Sequence, residues 1–180
     1  MKLKTLAFSA AALVGIAAAM PASAQALGTG KVNFTGELIE DTCEVTTETA
    51  DQRVPLPKVS VQSLNEAGLT AGSTPFDIEV VNCPATLQNV AVHFEMTNME
   101  AANRTLKNMA ATDAAGNVSV QLIEADGTVI RAGSTGAAYP ITGTGAARGA
   151  KMTYGGQYYA LAPTTPGLVQ TFAEFTIAYP

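Results

Sequence analysis

The chain closes on Gly167-Leu168-Val169-Gln170-Thr171-Phe172-Ala173-Glu174-Phe175-Thr176-Ile177-Ala178-Tyr179-Pro180. Val169, Ala173, Phe175, Ile177 and Tyr179 share one parity. That period of two belongs to a strand with one buried face, because successive side chains of a strand point to opposite sides. Working back toward the N-terminus, the same period recurs. Met152 to Leu161 is rich in aromatic residues (Tyr154, Tyr158, Tyr159). Val118, Val120 and Leu122 form another run, followed by Asp126-Gly127 and Val129-Ile130, a sequence that predicts a hairpin with a tight turn. Val90, Val92, Phe94 and Met96 alternate, as do Phe76, Ile78 and Val80 ahead of Cys83. Clusters of Gly, Pro, Asn, Ser and Thr separate the runs, at Gly68–Pro75 and Gly133–Gly149. One short helical turn is expected within Ser60–Leu69, and Leu87 is expected in a loop. Short β-type runs with turn chemistry between them point to a sandwich or barrel.

Length and composition narrow the function. One domain of ordinary size fits in 180 residues. Ten Lys+Arg against fifteen Asp+Glu give a net charge of −5, charged residues are 14% and apolar types 47%. A disordered acidic chain would carry more charge and less apolar matter. A nucleic-acid binder would show a basic face to neutralise phosphates. A single His, two Cys and no Trp leave little material for a metal site or a histidine-based active site.

Lys2 and Lys4 precede an uncharged run, Leu6–Ala19, and then Pro21 and the small-residue pattern Ala22-Ser23-Ala24. These are the parts of a secretory signal peptide, with cleavage expected after Ala24. The alternative is a membrane anchor, but fourteen apolar residues fall short of the ~20 needed to span a bilayer. Cleavage leaves Gln25–Pro180 and removes two lysines, so the charge of −5 becomes −7. In an oxidising compartment Cys43 and Cys83 read as one structural disulfide, closing a loop worth about 4 kcal/mol by chain entropy. A redox pair or half of a metal site fits less well. The spacing is not C-x-x-C, and only His93 could add a nitrogen ligand.

The segment Gln25–Gly36 departs from a self-contained domain. Ala26, Gly28, Gly30, Val32 and Phe34 occupy every second position, with too much glycine for a core strand. An extended terminal segment of this kind can add to a sheet edge while its side chains fill pockets. The plainer alternative is a frayed terminus leading into the first strand.

Taken in order, these motifs resemble chaperone–usher fimbrial subunits, in particular the type 1 major pilin-like family. The resemblance lies in the glycine fourteenth from the end, the alternation that follows it and the penultimate tyrosine. It also lies in Gly30-Lys-Val-Asn-Phe-Thr-Gly36 followed by Cys43-Glu-Val45, in Phe76-x-Ile78 leading to Asn82-Cys83, and in the roughly forty-residue cysteine spacing. The resemblance implies an all-β fold: an incomplete immunoglobulin-like β-sandwich (the pilin fold) with an extended N-terminal donor strand and one disulfide. The implied organisation is a signal peptide at 1–24, a donor-strand extension at 25–36 and a pilin domain at 37–180. Ala26, Gly28, Gly30, Val32 and Phe34 would face the pockets of the next subunit, with Gly28 or Gly30 at a position that admits no Cβ. Gly167, Val169, Ala173, Phe175, Ile177, Tyr179 and Pro180 would form the groove and the strand that faces chaperone and usher. The Pro180 carboxylate would sit in a basic chaperone cleft. Implied partners are neighbouring subunits in a homopolymer, a periplasmic chaperone and an outer-membrane usher, with no nucleic acid, metal or cofactor. The implied destination is the fimbria on the cell surface, serving adhesion.

Other candidate sites are weak. Glu40, Asp41 and Glu44 could suggest paired-carboxylate catalysis, but a solvated surface is the better reading. His93 sits on the polar parity of its run with no marked nucleophile nearby. Gly143–Gly149 lacks the spacing and the strand–helix setting of a phosphate loop. Asn33, Asn103 and Asn117 begin glycosylation sequons that are expected to stay unmodified. The expectation is a structural, non-enzymatic shaft subunit. The alternatives are a minor subunit (tip adaptor or terminator), a self-sufficient secreted Ig-like binding domain and, last, a periplasmic enzyme.

Overall fold

The computed structural model describes residues 30–180. Signal residues 1–24 and Gln25–Thr29, including Ala26 and Gly28, lie outside the described residues. Ten strands are found among the described residues: β1 Glu44–Val45, β2 Thr70–Val81, β3 Asn89–Phe94, β4 Leu106–Lys107, β5 Val118–Glu124, β6 Val129–Ile130, β7 Ser134–Thr135, β8 Tyr139–Pro140, β9 Ala150–Ala160 and β10 Phe175–Ala178. The chain divides after Leu38, and Ile39–Pro180 is one compact unit.

Two antiparallel sheets make up that unit. The larger runs β1-β2-β9-β5-β4, with β6 also on β5; the smaller runs β10-β3-β7, with β8 also on β3. The alternating apolar residues of both sheets meet in one core. Ile78 and Val80 of β2, Val120 and Leu122 of β5, and Met152 and Tyr154 of β9 pack against Val90, Val92 and Phe94 of β3. The Phe94 and Tyr154 rings meet edge to face with centroids 5.2 Å apart, a favoured geometry for aromatic pairs. The sheets are joined covalently by nothing but the chain itself, but the disulfide Cys43–Cys83 ties the segment entering β1 to the end of β2.

Local chemistry explains the boundaries. At Asp126-Gly127 the expected hairpin forms between β5 and β6, pairing Leu122 with Ile130. Gly127 takes φ +88°, and the Asp126 carboxylate accepts the Thr128 N–H at 2.8 Å. The expected helical turn is a 3-10 turn at Val61–Leu64, capped by the Ser60 hydroxyl accepting from Gln62 N–H. The four-residue helix Thr47–Ala50 has no apolar periodicity, so no pattern in the sequence marks it. The backbone at Gly149 crosses β2 so closely that a Cβ there would strike the Val80 carbonyl.

Two alternating stretches are less regular than their pattern suggests. Residues 30–43 hold no strand, although Val32, Phe34, Gly36 and Leu38 alternate. A strand needs a neighbour to complete its ladder, and Glu44–Val45 is the first part to have one, on β2. At the C-terminus only Phe175–Ala178 is laddered. Ahead of it the backbone is tied to a loop instead: Met109 N–H donates to Gln170 C=O and Leu168 N–H to Asp113 C=O.

Tyr154 is wholly buried, and its hydroxyl has no hydrogen-bond partner among the described residues. Burial, and then the nearby Glu124 carboxylate and Tyr139, push its ionisation above the ordinary value near 10. A raised phenol contributes stability that is intact below pH ~10 and is lost above it, because the unfolded chain ionises first. Tyr154→Phe removes an orphaned hydroxyl and that liability together. We expect a urea midpoint at neutral pH equal to or above wild type, and a smaller loss of stability than wild type above pH ~10. A fall in the midpoint at neutral pH would reveal a partner for the hydroxyl.

Candidate functional site: an open sheet edge

The last strand of the smaller sheet has a neighbour on one side only. β10 pairs with β3 in the register Phe175–Phe94, Thr176–His93, Ile177–Val92 and Ala178–Ala91, and it ends the strand order. Continuing that register, Glu95 N–H donates to Glu174 C=O at 2.9 Å. In an antiparallel ladder the backbone groups of alternate residues point alternately to either side. Those of Glu174, Thr176 and Ala178 therefore face β3, and those of Ala173, Phe175 and Ile177 face away from it. That outer row forms no backbone hydrogen bond among the described residues.

The side chains show the same incompleteness. Val169, Ala173, Phe175, Ile177 and Tyr179 all pack against the core, yet all remain half-buried. On the adjoining β3, the core-facing Val90, Val92 and Phe94 are 0%, 0% and 1% exposed. Both sets face one core from one sheet, so the difference comes from β10 lacking an outer neighbour. The result is an apolar seam beside a row of free backbone donors and acceptors. Such an edge is a template for a further strand.

Most of the C-terminal residues singled out from sequence converge here. Gly167 lies just before the seam, where its backbone passes so near Asp113–Ala115 that a Cβ would collide with Ala115 N and Asp113 O. Tyr179 reaches across to the start of the domain, its hydroxyl accepting the Cys43 N–H at 2.8 Å. Through that bond the disulfide region fixes the far end of the seam. Pro180 is exposed. On the N-terminal side, Val32 and Phe34 are 75% and 91% exposed. A Cβ on Gly30 would meet nothing within 4 Å, so no contact within the described residues requires glycine there.

Some of the residues that shape the seam carry no sequence signal. Asn98 is buried and donates to Thr171 Oγ1 at 2.7 Å and to the Phe172 carbonyl at 3.3 Å. Asn108 donates to the Leu168 carbonyl and accepts from Gln170 N–H. Both amides lie outside the alternating runs, so no periodicity marks them. The remaining candidates stay apart from the seam. Glu44 accepts from Asn82 Nδ2 at 2.9 Å. Glu40 and Asp41 line an open polar cleft of about 580 Å³ with Asn82 and Arg148. The His93 ring nitrogen Nδ1 is 2.9 Å from Thr135 Oγ1. Gly145–Ala147 within the glycine-rich loop is a 3-10 turn, too short to act as a helix N-terminus. No group of three or more metal-ligating side chains occurs among the described residues.

A family model described as fimbrial protein matches residues 32–180. The F17 fimbrial protein of Escherichia coli is 40% identical over 175 residues, covering 93% of this chain and 96% of that protein. The major fimbrial subunit SMF-1 of Stenotrophomonas maltophilia is 36% identical over 169 residues, covering 90% and 98%. A subunit in the structure of a chaperone–usher pilus superposes with a TM-score of 0.60 at 22% identity, covering 86% of this chain and 97% of its own. At that identity the superposition speaks to fold alone.

Proposed function

The chain belongs to the fimbrial protein family, and we propose that, as a structural subunit of the fimbrial shaft, it polymerises head to tail by strand donation. The family is structural, and its members associate with other subunits in surface fibres reached through the periplasm. The observation that carries the assembly mode is the contrast between β3 and β10: core-facing side chains of one sheet that are sealed on the inner strand and half-open on the outer one.

In this reading the segment around Ala26, Gly28, Gly30, Val32 and Phe34 of one subunit lies along β10 of the next. Its backbone satisfies the outward groups of Ala173, Phe175 and Ile177, and its alternate side chains close the seam. Donor and acceptor surfaces differ, so each contact leaves a free donor at one end and a free acceptor at the other. Such a heterologous contact propagates as a filament. Before assembly the same edge is an aggregation hazard, which a periplasmic chaperone would cover by lending a strand until the usher exchanges it for the next subunit. Glycine at 28 or 30 then has its reason in the partner, where the donor backbone approaches most closely.

The direct test is to delete the gene for this chain in cells that carry the matching chaperone and usher. We expect cells bare of shafts by electron microscopy, restored by the wild-type chain in trans. Shafts of normal length without it would reassign the chain to a tip or terminator position.

A further inference from the structure

The outward parity of the open edge carries an acid pair with no cation. Glu174 of β10 extends the β10–β3 register to lie directly across from Glu95, and like charges in that position destabilise a sheet. Each carboxylate is held by a neutral hydroxyl only: Thr97 Oγ1 donates to Glu174 Oε2 at 2.5 Å, and Thr176 Oγ1 to Glu95 Oε1 at 2.9 Å. Among the described residues the ion pairs are those of Lys151 with Asp77 and Glu79, so neither glutamate has a basic partner. The segment Gln25–Glu37 contains one basic side chain, Lys31, on the parity opposite to Val32 and Phe34.

We infer that Lys31 of one subunit pairs with Glu174 of the next and thereby sets the register of the donated strand. This rests on the strand-donation reading above. Every pair of named strands in the domain is antiparallel, and an antiparallel donor is taken here. The outward backbone groups belong to Ala173, Phe175 and Ile177, so Glu174 falls at a non-hydrogen-bonded position of the new ladder. There the Cα atoms approach to ~4.5 Å and side chains are closest. With Lys31 opposite Glu174, Gly30 comes opposite Phe175, Val32 opposite Ala173 and Phe34 opposite Thr171. A glycine of the donor then meets the Phe175 ring, and the larger Val32 and Phe34 meet the smaller Ala173 and Thr171. A shift by two residues in either direction keeps the apolar parity and loses the charge match, and the shift that sets Val32 opposite Phe175 loses the size match as well. The apolar seam alone leaves such slippage open; the ion pair biases the strand against it.

Cysteine pairs in assembled fibres test the register. Lys31→Cys with Glu174→Cys, and Asn33→Cys with Phe172→Cys, are expected to give disulfide-linked ladders on denaturing gels. Lys31→Cys with Thr176→Cys, two residues out of register, is expected to give none. Fibres that link only through Lys31→Cys and Thr176→Cys, or through Lys31→Cys and Phe172→Cys, would overturn the register and leave strand donation standing. Fibres that form and link through no pair would overturn strand donation to β10 itself. If the cysteine variants fail to assemble, charge exchange decides. Lys31→Glu and Glu174→Lys should each release subunits from fibres about two- to fivefold faster, an effect that shrinks in high salt, and the double exchange should restore the wild-type rate. Equal rates in all four would overturn the pairing.

Discussion

A Phe34→Asp subunit is expected to fold and bind its chaperone, and to be missing from fibres. Phe34 is 91% exposed, so the replacement takes little from the subunit's own stability. In a neighbour's seam the same side chain would be buried. The variant forfeits about 1.5–3 kcal/mol for burying a phenyl group and must bring an unpaired carboxylate into apolar surroundings, which costs several kcal/mol more. A combined loss above ~4 kcal/mol is about a thousandfold in equilibrium terms, enough to remove a variant from a competitive polymerisation. The measurement is co-expression with wild type, followed by mass spectrometry of sheared fibres and of the periplasmic chaperone complex. The variant should appear in the second and not in the first. Phe34→Leu should appear in both. Equal incorporation of Phe34→Asp would release Phe34 from the donor role.

Loss of the disulfide has the largest expected effect on the fold itself. Cys43 and Cys83 are 40 residues apart in sequence and bonded, and closing a loop of that length in the unfolded chain is worth about 4 kcal/mol. A domain of this size holds only about 5–15 kcal/mol in total, and this one has a sheet edge left open. The bridge also fixes Cys43, whose N–H donates to the Tyr179 hydroxyl, so its loss loosens the end of the seam. A Cys43→Ala/Cys83→Ala subunit is therefore expected to lose most of its stability in urea, and to recover only part of it when a strand is supplied. A midpoint unchanged from wild type would show that the bridge closes a loop already closed by packing.

The strands that pair on both faces were readable because burial forces alternation: Phe76–Val80, Val90–Phe94 and Val118–Leu122 carry their partners' shape in their own pattern. The Asp126-Gly127 hairpin was readable because its turn chemistry is local. The two-residue strands β4, β7 and β8 were not, since their hydrogen bonds come from a tertiary neighbour and not from a run of their own. Val32 and Phe34 show why alternation does not by itself make a strand: no strand among the described residues pairs with them. Residues Val169–Tyr179 were legible as an apolar face, and the sequence placed them in one structure. Their period could not show that their outer side is open, because an edge strand and an inner strand of one sheet have the same period; that expectation comes from the family resemblance alone. Nor did the sequence mark Asn98, Asn108 or the Glu95–Glu174 pair, all of which depend on which strands lie side by side.

Strand donation requires a domain that binds one more strand. The most direct measurement is denaturant unfolding of a subunit lacking Gln25–Phe34, with and without a synthetic peptide spanning Gln25–Glu37. A large rise in the unfolding midpoint on adding peptide is the predicted result, since the peptide binds the folded state and not the unfolded one. High and equal stability in both samples would contradict it, leaving a sandwich that is already complete and an open edge with no donor.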